Sequence, residues 1–141
     1  MKKVLPESLD NICLVGIVLS IIEILIAVVF SLVGGVLVRA VTSKAEPGWG
    51  ILGIGIAFFG LVALGFGIIR LIGYIHMKKG RFAGFVIVLI SEVISFIGGL
   101  YSILIGQVFF AAIPFIWAII VLVFLYKYRL SFKKEEASEK E

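Results

Sequence analysis

Apolar residues in this chain come in long unbroken runs. They follow neither the alternation of a half-buried strand nor the stripe of a soluble amphipathic helix. Ile12–Val38 is interrupted only by Glu23, and Ile51–Ile75 only by Arg70. Val93–Tyr126 contains no charged residue. A helix needs about 20 apolar residues to cross a hydrocarbon core of roughly 30 Å, so each of the first two runs suits one crossing. The third, drawn as a single helix, would reach about 51 Å at 1.5 Å per residue. The chain has to turn within it, and Gly106-Gln107 is the expected place. The pattern predicts four helices, at 12–38, 51–75, 82–105 and 108–126, with a short segment 1–11 before them. Residues 127–141 are expected as a mobile tail of mixed charge. Strands of a membrane barrel would instead alternate in character over about ten residues between turns.

Composition decides what surrounds these helices. Of 141 residues, 62% are hydrophobic and 16% charged, against about 25% charged in a typical soluble chain. A soluble domain of this size has too little interior to hide so much apolar surface. The apolar content excludes disorder, and a lone Cys with no short repeat excludes a disulfide scaffold, a collagen and a coiled coil. The expected fold class is an all-α integral membrane protein, a four-helix transmembrane bundle, multi-pass in the cell membrane.

Lys and Arg orient it. Lys2, Lys3, Lys78, Lys79, Arg81, Lys127, Arg129, Lys133, Lys134 and Lys140 fall on one side, and only Arg39 and Lys44 on the other. That asymmetry predicts both termini in the cytoplasm. The net charge of +4 is then a consequence of topology, and no nucleic-acid partner is expected. The basic turn and the tail could touch anionic headgroups. Trp49 and Tyr101 are expected near the outer boundary, and Tyr74, Tyr126 and Tyr128 near the inner one. The first helix is too long for a signal-peptide core, and Glu7 and Asp10 spoil its basic flank, so it is expected to stay attached.

Each predicted helix also carries small residues at steps of three or four, the mark of a face that lets backbones approach in lipid. In the first these are Gly16, Ser20, Ala27, Ser31 and Gly34, with Glu23 among them. In the second they are Gly53, Ala57, Gly60, Ala63 and Gly67, followed by Arg70. In the third they are Gly84, Ser91, Ser95, Gly98 and Ser102, with Glu92 at the border; the fourth has a poorer version in Gln107, Ala111, Pro114 and Ala118. Charges inside membranes face the bundle interior or water. Glu23, Arg70 and Glu92 are therefore expected to turn inward. By helical rise Glu23 lies about 16 Å from Ile12 and Glu92 about 15 Å from Phe82, while Trp117 lies roughly 14 Å from Tyr126.

Two functions fit such a polar centre. Low dielectric penalises the charged form of a carboxyl group, which suits it to load and release a proton near neutrality, and Glu23 and Glu92 could then be proton or cation sites. Alternatively the groups staple the bundle: Arg70 pairs with one carboxylate, and the other bonds to Ser20, Ser91 or Ser95. Trp117 could donate its indole N–H to a carboxylate or fill space. Pro114 is expected to bend the fourth helix.

Other chemistry finds no residues. Cys13 has no second Cys and reads as a small buried hydrophobe. His76 has no nearby His or Cys to share a metal, so neither metal nor cofactor is expected. Gly48-x-Gly50-x-x-Gly53 spells a dinucleotide fingerprint but opens an apolar helix instead of linking a strand to a helix. Asp10 is the only Asp, and no nucleophile–base set is present, so no enzymatic activity is expected. Ser20 with Glu23 and Gly34-Gly35 loosely echoes Ser91-Glu92 and Gly98-Gly99, as in a parallel duplication of helix pairs, but the Glu-to-Gly-Gly separations differ.

Ser20-Ile21-Ile22-Glu23 in the first of four helices resembles the small multidrug exporters. The resemblance implies a dimer that exchanges protons for cationic drugs at Glu23. This chain departs from them in its length, in Arg70 and Glu92, and in lacking a Gly-rich dimerisation face in the fourth helix. Gly60–Gly73 followed by Lys78-Lys79-Gly80-Arg81-Phe82-Ala83-Gly84 is similar to small prokaryotic four-helix proteins without an assigned activity. The leading expectation is a non-enzymatic accessory or assembly component that packs against itself or a membrane-protein partner. The second is an oligomeric proton- or cation-coupled transporter or channel.

Overall fold

The computed structural model describes residues 7–44, 47–104, 106 and 108–138. They form four helices: α1 (Glu7–Lys44), α2 (Pro47–Lys78), α3 (Phe82–Leu104) and α4 (Val108–Ser138). Each holds a segment long and apolar enough to cross a membrane, namely Glu7–Arg39, Ile51–Lys78, Phe82–Leu104 and Ala112–Arg129.

The ends of the helices follow from local chemistry. Glu7 and Asp10 lie in the first turn of α1, where carboxylates complement the positive end of the helix dipole. Pro47 opens α2, a position at which its missing N–H would have had no helical partner. α2 closes on Gly80, whose φ of 76° is left-handed. There the Gly80 N–H donates to the Met77 carbonyl (2.9 Å) and the Arg81 N–H to the His76 carbonyl (3.1 Å). This paired arrangement satisfies two carbonyls that the helix end leaves over. Gly106, with φ of 86°, makes the turn between α3 and α4, and its N–H donates to the Ile103 carbonyl at 3.0 Å. The expected tail begins as helix, because α4 continues without a break past Tyr126 to Ser138. Adding residues to a helix already formed avoids the cost of nucleation, which favours this continuation.

The chain divides into two compact units. One is Ile17–Leu71, an antiparallel hairpin of α1 and α2. Its helices touch through small residues. A Cβ built on Gly34 would stand 2.9 Å from the Ala57 Cα, and one on Gly60 would stand 2.8 Å from the Ser31 nitrogen. One on Gly67 would stand 2.9 Å from the Ile24 side chain. In all three pairs the two residues are equidistant from the 45–46 connection, so a single register runs along the hairpin.

The other unit comprises residues 1–16 and 72–141. Its core is Leu9, Cys13, Tyr74, Met77, Phe85, Val88, Ala118, Val121 and Leu125, all buried. A Cβ on Gly84 would collide with the backbone of His76 and Met77, so α3 crosses the end of α2 where only glycine fits. Phe96 and Phe115 stack with ring centres 5.0 Å apart where α3 packs on α4. In both units large apolar side chains also stand exposed, among them Leu32, Phe59, Ile97 and Ile113.

The small-residue faces are only partly as expected. Gly16, Ser20, Ala27, Gly34, Gly53, Gly60 and Gly67 are buried, and Ala63 is half-buried. On α3 Gly84 is in close contact as expected, but further along the helix the contact belongs to Gly99, which faces Phe115, whereas Gly98 is exposed with open space where a Cβ would stand. Successive residues on a helix are turned by about 100°, so the adjacent glycine moves off the face defined by Val88, Glu92 and Ser95. On α4 the buried line is Ala118, Val121 and Leu125, and Pro114 is exposed inside the helix. The side chains of Gln107, Ala111 and Trp49 lie outside the described residues.

Candidate functional site

Two polar clusters interrupt the apolar packing. The first lies in the hairpin. Its register sets Arg70, one helical turn past Gly67, close to Glu23, beside Ile24. Arg70 Nη1 donates to Glu23 Oε2 at 3.3 Å. The Arg70 side chain is 7% exposed and that of Glu23 32%. The guanidinium is thus enclosed while the carboxylate keeps an open flank. Ser31 Oγ, higher on the same helix face, donates to its own helix at the Ala27 carbonyl (2.9 Å). Ser20 is fully buried.

The second cluster lies in the other unit and centres on Tyr74. Its ring covers Gly16, where any side chain would collide with it. Its hydroxyl donates to Glu92 Oε1 at 2.7 Å and accepts from Trp117 Nε1 at 3.2 Å. Tyr74 and Glu92 are both 0% exposed. One hydrogen-bonded chain therefore joins α4, α2 and α3, in the order indole, phenol, carboxylate. Such a chain polarises in one direction, because each donor strengthens the next.

The expected residues are thereby distributed. Arg70 meets Glu23. Glu92 is reached by Tyr74, and Trp117 acts on it only through that hydroxyl. Ser91 Oγ bonds to the Val88 carbonyl of its own helix at 2.9 Å, and Ser95 is half-buried.

Tyr74 has a role that the sequence reading did not assign to it. It was expected near the inner boundary as part of an aromatic belt; the structure shows its side chain completely buried within the protein. A signal was present, since Tyr74 continues the Gly60–Gly67–Arg70 line by one more helical turn. Tyr101 and Tyr126, by contrast, are exposed.

A third group gathers where α1 begins and α2 ends. Lys78 Nζ lies 3.6 Å from Asp10 Oδ1, and Ser8 Oγ and Tyr128 Oη are 2.8 Å apart. The Arg129 guanidinium lies over the Tyr126 ring at 4.4 Å, and Lys127 Nζ over the Tyr128 ring at 5.6 Å. His76 Nδ1 is 2.9 Å from the Ile72 carbonyl of its own helix. Among the described residues no three His, Cys, Asp or Glu side chains cluster as metal ligands would. Comparison with family models, with curated proteins and with solved structures finds no match to this chain.

Proposed function

We propose that this chain is a non-enzymatic multi-pass membrane protein, with both termini cytoplasmic, that serves as an accessory or assembly component. Its ionisable groups staple helices together, and the protein packs against itself or a membrane-protein partner. The observation that carries the reading is the engagement of each intramembrane charge by a side chain from another helix: Arg70 with Glu23, and Tyr74 with Glu92. An isolated charge in hydrocarbon is costly, and pairing or hydrogen bonding offsets that cost. Exposed apolar side chains on every helix suit a lipid solvent. Gly98, exposed beside Ile94 and Ile97, is a position at which a second helix could approach closely.

The test compares melting in detergent with transport in liposomes. Glu23→Gln and Arg70→Ala are each expected to lower stability by about 0.6–2 kcal/mol, the range for polar contacts between membrane helices. Melting temperatures unchanged in both variants would refute the stapling role. Proton-coupled cation flux through the unmodified protein, abolished by Glu23→Gln in a folded variant, would replace this reading with a transporter.

A further inference from the structure

The exposed cations at the α1-start and α2-end of the molecule have no counterpart in the stapling role. Lys79 and Arg81 flank the Gly80 turn, and Lys127 and Arg129 stand on α4; all four are exposed. The Asp10–Lys78 and Ser8–Tyr128 contacts tie α1 to α2 and to α4, and so bring these cations to one level. Two carboxylates are described there. Asp10 is engaged by Lys78, and the other, Glu7, is exposed; the exposed cations number four. Among the described residues, Arg129 and Lys127 rest on tyrosine rings and not on carboxylates. A ring holds a cation in place without neutralising it, and the N–H groups of a guanidinium remain able to fork onto phosphate oxygens. Immediately beyond this collar the surface turns apolar, with Ile72, Ile90 and Val123 exposed. Fixed positive charge at the margin of an apolar belt is the complement of one surface, the anionic headgroup layer of a bilayer.

We infer that Lys79, Arg81, Lys127 and Arg129, with Tyr126 and Tyr128, form a collar that recruits anionic phospholipid headgroups in preference to zwitterionic ones. The inference rests on the membrane reading above. It adds a lipid selectivity which orientation by charge does not require.

The experiment uses the full chain in detergent doped with phosphatidylglycerol or phosphatidylcholine, read by thermal melting and by native mass spectrometry of retained lipid. Phosphatidylglycerol is expected to raise the melting temperature and to stay bound, phosphatidylcholine to do neither, and the difference to shrink at high ionic strength. Each charge removed is expected to weaken the preference roughly fivefold at low salt. The combined Lys79→Gln, Arg81→Gln, Lys127→Gln and Arg129→Gln variant should lose it, whereas Arg81→Lys with Arg129→Lys should keep most of it. Equal effects of the two lipids on the unmodified protein overturn the inference, whatever the variants do. So does a preference undiminished in the fourfold variant. Failure of the underlying reading looks different: the protein would then leave liposomes in alkaline carbonate without detergent. Retention in the membrane without lipid preference sinks only the collar.

Discussion

Tyr74 shows how one side chain can serve packing and polarity together. Its ring covers Gly16 while its hydroxyl joins Trp117 to Glu92. Tyr74→Phe keeps the ring and removes only the oxygen. It is expected to cost about 1–2 kcal/mol of stability in detergent, because the buried Glu92 loses a donor. Ser91→Ala, one residue from Glu92, is expected to change stability by less than about 0.5 kcal/mol, since its hydroxyl donates to the Val88 carbonyl of its own helix. Combining Tyr74→Phe with Trp117→Phe in a double-mutant cycle should give a non-zero coupling, as both act through one hydroxyl. Equal melting of Tyr74→Phe and unmodified protein would remove the chain from any stabilising role. Glu92 was legible as inward-facing because carboxylates avoid hydrocarbon. Its partner was not, since a tyrosine near a basic turn satisfies the rules for an interfacial anchor as well as those for a buried donor.

At the scale of elements, the α1–α2 hairpin is the part whose internal geometry was nearest to being readable. A short connection forces residues equidistant from it to face one another, and Gly34 with Ala57, Ser31 with Gly60 and Ile24 with Gly67 obey this rule. The same rule brings Glu23 near Arg70 and selects it as the guanidinium's partner within the hairpin. Gly60→Leu is expected to force the helices apart and cost about 1–3 kcal/mol. Gly65, where an added Cβ meets nothing, should tolerate Ala or gain up to about 1 kcal/mol from helix propensity. Thermal melts of the two variants separate a packing position from a permissive one; similar losses in both would mean that the register is wrong. On α3, small-residue spacing alone could not choose between Gly98 and Gly99. Both fit a step of three or four from Ser95, and the choice falls to Phe115 on another helix. α4 shows the limit of the small-residue rule, for it is buried through Ala118, Val121 and Leu125.

For the molecule as a whole, the proposed topology has a direct check. In a Cys13→Ser background, single cysteines at Lys79 and Gln107 should lie on opposite sides of the membrane. A membrane-impermeant maleimide applied to intact cells should label Gln107→Cys, and should label Lys79→Cys only after permeabilisation. Labelling of both from one side would overturn the four-crossing reading, while a reversed pattern would overturn only the orientation. The number of helices and their apolar character were legible because lipid-length apolar runs leave few alternatives. The length of α4 was not, since a charged, mixed segment reads equally well as tail or as helix.

What the sequence determined by itself is set by bulk physics: long apolar runs must form helices that satisfy their own backbone, a run too long for one crossing must turn, with Gly106 the expected place, and charges within apolar runs must find company. Which company they found was decided only by tertiary structure. Arg70 with Glu23, and Tyr74 with Glu92 and Trp117, depend on helix register and rotation. A shift of one residue turns a side chain by about 100°, enough to exchange a buried partner for an exposed one.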